Sequence, residues 1–187
     1  MGRTALENKS ESGVSLIEVM MAAFILTIAL MAIAMTMVQG ISSMYYTQEQ
    51  LIAKQKAREA LESTFTARST QNITFAQIQN TSVTGGIFLV GYQPLRGFGT
   101  DGIANTADDS SAALETMTFP GPDGQLGTAD DEVRSLTAFE RQVSITNVND
   151  TAGNVDPDIR QLTVSVRFRV RNVWQTVSVS SYISRFA

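Results

Sequence analysis

The stretch that decides the fold is GVSLIEVMMAAFILTIALMAIAMTMV, residues 13–38. From Val19 to Val38 it contains no charged residue, and Thr27 and Thr36 supply its only hydroxyl groups. Twenty helical residues rise about 30 Å, which matches the hydrocarbon core of a bilayer. A surface helix of a soluble domain would show a polar face, and this segment has none. The stretch therefore predicts a helix that spans a membrane.

Glu18 is the anomaly at the start of this apolar segment. A carboxylate costs on the order of 2.5–3.5 kcal/mol at the centre of a membrane helix and less towards its edge. A secretory signal and a plain single-pass anchor both leave Glu18 unexplained, and the apolar run is too long for a signal. If the chain is cut between Gly13 and Val14, however, the new α-amine lies four residues from Glu18, at the positive end of the helix dipole. Such charges on neighbouring subunits could neutralise each other and fix the register of an assembly.

The segment Gly13-Val14-Ser15-Leu16-Ile17-Glu18-Val19, behind a polar leader, resembles the processing signal of type IV pilin precursors. In that family a prepilin peptidase cleaves after the glycine and methylates the new N-terminal residue. The resemblance implies cleavage after Gly13, methylation of Val14 and an assembly role for Glu18. Val14 stands where the family usually has phenylalanine, a position at which the family tolerates other apolar residues. The implied organisation is a leader at 1–13 and a membrane and assembly segment at 14–38.

The remainder of the chain predicts the other parts of a pilin-like α+β fold. Apolar residues recur near helical spacing over 39–69, so the helix is expected to continue, end near 66–69 and have one face covered. The expected stripe comprises Ile41, Met44, Tyr45, Leu51, Ile52, Ala57, Leu61 and Phe65. Apolar runs and alternation predict strands at 87–92, around 114–119 and 143–145, and at 162–170 and 177–183, with a turn near Asn172. Residues 70–187 are thus predicted to form a globular domain in which an antiparallel sheet packs on the long helix.

Two acidic segments, 101–109 and 123–131, echo each other within the predicted loop 97–132. Each has an Asp-Gly turn followed by paired aspartates, which could gather three carboxylates around one cation. Oxygen ligands without His or Cys favour Ca²⁺ over zinc or copper. Solvated Asp-Gly turns are the competing interpretation. The candidate metal ligands are Asp101, Asp108, Asp109, Asp123, Asp130 and Asp131.

The composition argues against an enzyme and against a nucleic-acid partner. The chain has no His, which removes the commonest general base, and it has no Gly-rich phosphate loop followed by Lys. Its formal net charge of −4 gives no basic footprint for nucleic acid. A membrane-tethered hydrolase that uses the aspartates with a metal has little support, since no nucleophile and base stand out.

The predicted function is that of a structural subunit, of the minor kind, in a type IV pilus or a type II secretion pseudopilus; a DNA-uptake fibre stays open. The implied partners are other pilin or pseudopilin subunits and the prepilin peptidase. The implied location is the bacterial inner membrane, crossed once, and then a periplasmic or cell-surface filament. The alternative is a membrane-anchored, calcium-dependent adhesive or binding module that does not polymerise.

Overall fold

The computed structural model describes residues 13–186, so the predicted leader, apart from Gly13, lies outside the described residues. By internal contacts the chain divides into two units, Met1–Tyr45 and Tyr46–Ala187. The described elements are a long N-terminal helix, two short 3₁₀ helices, a four-stranded antiparallel sheet and a two-stranded ribbon. The predicted α+β class is confirmed.

Helix α1, Leu16–Ser69, runs through Gly40 without a break. Leu, Met and Ala, which favour helix, dominate its first half. It ends where Gln71 takes a positive φ of 62° and the Asn72 N–H donates to the Ala67 carbonyl at 2.9 Å. This bond satisfies one of the carbonyls that a helix end leaves free. The predicted end between 66 and 69 is confirmed.

Small residues line the face of α1 that is buried in the second unit. The fully or almost fully buried ones are Ala53, Ala57, Ala60, Thr64 and Ala67, spaced four, three, four and three residues apart. The stripe predicted from the large apolar residues was therefore only partly right. Ile52 and Ala57 are buried, but Leu51 is 66% exposed. Alanine adds little to a hydrophobic pattern, so a narrow Ala-lined face is easily overlooked.

The main sheet has the strand order β1–β4–β5–β6, with β1 Gln93–Pro94, β4 Phe139–Asn149, β5 Val155–Val170 and β6 Val173–Ser184. Alternate residues of β5 are buried in the core, namely Leu162, Val164, Val166 and Phe168. Val164 sits opposite Val143 of β4 and Val179 of β6. Positive φ angles at Arg171 and Asn172 make the two-residue turn between β5 and β6. The strands predicted near 143–145, 162–170 and 177–183 and the turn near Asn172 are confirmed.

Two parts of the second unit differ from the prediction. Residues 87–92 do not form a strand; Phe88 is fully buried and makes only an isolated bridge with Asn80. The apolar run there fills the core from a loop, and Gly91 turns the chain with a φ of 84°. The ribbon pairs β2, Thr116–Phe119, with β3, Glu132–Ser135. Strand β2 was predicted, whereas β3, with charged residues at two of its four positions, was missed.

Candidate processing and assembly site

The predicted cleavage point lies in an exposed, non-helical segment directly before α1. Gly13, Val14 and Ser15 precede the helix, and the Val14 side chain is 71% exposed. The Ser15 carbonyl accepts hydrogen bonds from the backbone N–H groups of Glu18 and Val19, at 3.0 and 3.2 Å. These bonds close the first helical turn. The Gly13–Val14 peptide bond is therefore accessible, and a cut there would leave the helix start intact.

Glu18 occupies the first turn of α1, where the helix dipole favours a negative charge. Its side chain is exposed, and none of the ion pairs formed within residues 13–186 includes it. A carboxylate placed among apolar neighbours ordinarily has a partner. Any counter-ion for Glu18 must therefore come from outside the described part of this chain.

The apolar segment that follows Glu18 is exposed on every face. All side chains from 19 to 41 are solvent-accessible, including six Met and Phe residues: Met20, Met21, Phe24, Met31, Met35 and Met37. In the described part of the chain, α1 is the helix long and apolar enough to cross a membrane. Apolar surface left in water costs about 25 cal/mol per Å². The segment therefore has the length and composition of a membrane-spanning helix.

The first acidic repeat folds into a turn that its own aspartates hold together. Asp108 Oδ2 accepts a hydrogen bond from the Asp101 N–H at 3.0 Å. Asp109 Oδ2 accepts one from the Asn105 N–H at 2.6 Å, and Asp101 Oδ1 accepts one from the Ile103 N–H at 2.8 Å. The carboxylates thus bind the backbone of their own loop.

The second repeat forms the same bonds at the equivalent positions. Asp130 Oδ2 accepts from the Asp123 N–H at 3.3 Å, and Asp131 Oδ2 accepts from the Gly127 N–H at 2.6 Å. Asp123 Oδ1 accepts from the Gln125 N–H at 2.8 Å. The resemblance between the two segments is therefore a repeated local structure as well as a repeated sequence.

A threonine hydroxyl completes each turn. Thr106 donates to Asp108 Oδ1 and Thr128 donates to Asp130 Oδ1, both at 2.6 Å. The Thr106 bond is the main reason that the pKa of Asp108 falls from its ordinary value of 3.8 to about 2. The Thr128 bond likewise lowers the pKa of Asp130. Both carboxylates are thereby kept ionised.

Each structural repeat begins two residues earlier than the repeat identified from the sequence, at Gly99 in the first and Gly121 in the second. A Cβ placed on Gly99 would lie within 3.0 Å of the Asp108 carboxylate, and one on Gly121 would lie as close to Asp130. The turn therefore has no room for a side chain at these two positions. The available signal was the glycine found two residues before each Asp-Gly pair.

The two repeats differ in their surroundings. In the first, Ala104 is fully buried and Asp109 almost so, and both lie against the core. In the second, the residue equivalent to Ala104 is Leu126, which is 65% exposed. The first repeat is therefore part of the folded core, whereas the second projects its turn to solvent.

A buried cluster of charges ties the first repeat to the sheet and the helix. Arg141 of β4 is 1% exposed and lies 3.2 Å from Glu115 and 3.7 Å from Asp109. Glu115 also pairs with Lys56 of α1 at 2.8 Å. Burial lowers the pKa of Arg141 and raises that of Asp109, although backbone N–H groups and Arg141 oppose the rise. Sequence reasoning missed this cluster.

The structure separates the predicted site residues into three places. Gly13, Val14 and Glu18 lie together at the start of α1, while the six aspartates divide between the two repeats. Within residues 13–186 no three acidic side chains are grouped as metal ligands. The turns hold their aspartates through backbone and hydroxyl donors, so the predicted three-carboxylate ligand set is not assembled. The calcium ion stays a prediction, and no step of the proposed function depends on it.

Comparison of the chain with models of known protein families, with curated proteins and with solved structures found no match. The architecture itself, a long apolar N-terminal helix followed by an antiparallel sheet, is pilin-like.

Proposed function

We propose that this protein is a structural subunit of a type IV filament, a pilus or a type II secretion pseudopilus, and that it assembles through α1. The observation that carries the proposal is the apolar segment 19–41 of α1, which is exposed on every face and preceded by Glu18, a carboxylate with no ion-pair partner in the described chain. A membrane covers such a helix before assembly, and the same helices of other subunits cover it afterwards. The protein catalyses no reaction in this role.

Processing would supply the missing counter-ion. A prepilin peptidase acting at the exposed Gly13–Val14 bond releases a new α-amine at Val14, which the family chemistry would methylate without removing its charge. This amine lies within one helical turn of Glu18, so either its own carboxylate or that of a neighbouring subunit can pair with it. Pairing between neighbours gives the otherwise featureless apolar helices a fixed axial register, as single buried polar groups do in other helical assemblies.

The proposal is tested on the protein from its native cell by intact mass and by incorporation of variants into filaments. The mature chain is expected to begin at methylated Val14. Glu18→Ala is expected to be cut normally but to enter filaments about 60-fold less readily, if neutralisation in an apolar setting contributes about 2.5 kcal/mol. Glu132→Ala is the matched control, because Glu132 is also exposed and makes no ion pair in residues 13–186.

A protein that retains Met1, or a Glu18→Ala chain that assembles as readily as its parent, would contradict the proposal. An uncut N-terminus would favour the anchored, non-polymerising binding module.

A further inference from the structure

Three arginines line a cleft at the C-terminal end of α1. Arg68 of the helix, Arg160 of β5 and Arg185 after β6 surround a cavity of about 530 Å³ whose lining includes no acidic residue. Arg160 donates hydrogen bonds to the backbone carbonyls of Phe75 and Ile78, which are uncharged acceptors. These three guanidinium groups form what we call the arginine cleft.

Positive charge exceeds negative charge in the arginine cleft. Within residues 13–186 the only ion pair of its three arginines joins Arg185 to Asp158, at 3.5 Å. Arg68 donates to the Arg185 carbonyl at 2.8 Å, and its Nε is buried without an acceptor. Three positive charges therefore face one carboxylate, so that an anion entering the cleft would relieve mutual repulsion and gain charge-assisted hydrogen bonds.

A second cleft, of about 580 Å³, has the opposite charge. Four acids line it and no Lys or Arg does: Glu59, Glu62, Asp101 and Glu115. Glu59 and Glu115 are compensated by Lys56, which lies 2.8 Å from each. Glu62 is exposed and forms no ion pair in the described chain. We call this second cleft the acidic cleft. Asp101 also forms no ion pair within residues 13–186, but its carboxylate accepts a hydrogen bond from the Ile103 N–H at 2.8 Å, so Glu62 is the acid of the cleft that the described chain leaves uncompensated.

The two clefts lie on different sides of the same helix. At about 100° per residue, Arg68 is about 180° around α1 from Glu59 and about 120° from Glu62. The acidic cleft of a molecule therefore cannot turn into its own arginine cleft, but it can meet that of another molecule. Contact between two different surfaces of identical chains is heterologous, and such contacts generate closed rings or open helical filaments.

We propose that the acidic cleft of one copy, through Glu62, docks into the arginine cleft of a second copy. The inference rests on the proposed function, because it names the subunit contact that joins the second units in the filament. A free anion such as inorganic phosphate would satisfy the arginines but would leave Glu62 unpaired. The presence of both complementary surfaces on one chain is what favours a second copy of this chain.

The test uses charge reversal in the full-length protein. Arg68→Glu and Glu62→Arg are each expected to reduce copy-to-copy association about tenfold, because like charges then face each other. The double variant restores the pair with exchanged signs and is expected to recover association. Since the chain has no cysteine, the single variants Glu62→Cys and Arg68→Cys, expressed together, allow a short bismaleimide to trap the contact as cross-linked pairs of copies, read by mass spectrometry.

Two exposed residues provide matched controls. Arg169→Glu makes the same charge change as Arg68→Glu at an exposed arginine of β5 that lines neither cleft. Glu132→Arg matches Glu62→Arg on strand β3. Both are expected to associate like the parent. Arg68→Gln and Glu62→Gln serve as milder variants if a reversal lowers the thermal midpoint of unfolding.

The inference is overturned if the reversals behave like their controls, if the double variant does not recover, or if the cross-linked pairs are absent from filaments that form normally. It is also overturned if inorganic phosphate raises the unfolding midpoint of the parent, but not of Arg68→Gln, while no cross-linked pairs form. Failure of the proposed function is seen separately, in an unprocessed N-terminus or in unchanged assembly of Glu18→Ala.

Discussion

Replacing Arg141 with Met tests whether the buried charge cluster stabilises the second unit. The substitution keeps an unbranched side chain of similar length but removes the charge. Asp109 and Glu115, whose side chains are only 9% and 10% exposed, would then lose the guanidinium that lies within 3.7 Å of both. The Arg96 carbonyl would also lose the bond that Arg141 donates at 3.1 Å.

The size of the effect follows from what remains after the substitution. At an effective dielectric constant of about 20, charges 3.2 Å apart attract by about 5 kcal/mol, but desolvation cancels much of this. Breaking one side of a buried pair typically costs about 3–5 kcal/mol. Glu115 keeps Lys56, and Asp109 keeps the N–H groups of Gly99 and Asn105. We therefore expect a loss of about 3 kcal/mol, or about 6–12 °C in the unfolding midpoint for a domain of this size.

The assay is thermal unfolding of the full chain in detergent, followed by the fluorescence of the single tryptophan. Trp174 reports on the sheet because the Arg167 and Arg169 guanidinium groups lie 4.4 and 4.7 Å from the centre of its ring. The penalty should shrink as the pH falls from 7 towards 4. Burial already raises the pKa of Asp109, and loss of Arg141 raises it further, so protonation removes an unpaired buried charge.

Arg58→Met is the control, because Arg58 is exposed on α1 and should change the free energy of unfolding by less than about 0.5 kcal/mol. If Arg141→Met were as stable as this control at pH 7, the cluster would contribute nothing, and the reasoning would be refuted.

Two further predictions concern the acidic turn and the buried face of α1. Thr106→Val should raise the pKa of Asp108 from about 2 towards 3.8, as measured by carboxyl NMR titration. In the parent, the depressed pKa of Asp108 stabilises the folded state fully above about pH 4, and this contribution is lost as the pH falls through about 2. The parent should therefore be more stable than Thr106→Val above about pH 4 and equally stable below about pH 2. An unchanged pKa of Asp108 in Thr106→Val would show that the hydroxyl does not lower it. Ala57→Leu should destabilise the second unit by about 1–3 kcal/mol in denaturant unfolding, since Ala57 is fully buried. Leu51 is exposed, so Leu51→Ala should change the free energy of unfolding by less than about 0.5 kcal/mol. A larger loss for Leu51→Ala than for Ala57→Leu would show that the buried face of α1 does not run through Ala57.

The elements that sequence patterns predicted correctly are those in which one physical requirement dominates. A charge-free run of twenty residues has few stable environments, which made the start of α1 predictable. Alternation from Leu162 to Val170 fixed one buried face of β5, since side chains point to opposite sides of a strand in turn. The predictions failed where burial did not follow residue size. The helix packs through alanines, and the apolar run 87–92 is buried as a loop.

The charge cluster was missed because the same alternation was not applied to a charged residue. Phe139, Arg141 and Val143 alternate along β4, so all three belong to the core face. Arginine on a core face suggests by itself that buried acids exist elsewhere in the chain. Their positions could not be deduced, because Asp109 lies in the short 3₁₀ helix Ala107–Ser111 and Glu115 in the loop after it, and the path of this segment depends on the first acidic repeat.

The contrast between Arg141 and Glu18 gives the firmest reason to look for an external partner. In the second unit the buried Arg141 guanidinium pairs with the carboxylates of Asp109 and Glu115 and donates a hydrogen bond to the Arg96 carbonyl. This fold thus pairs a charge that it removes from water. Glu18 lies beside twenty uncharged residues and forms no ion pair within residues 13–186. The proposed processing and assembly would supply Glu18 with the counter-ion that the described chain provides for Arg141 but not for Glu18.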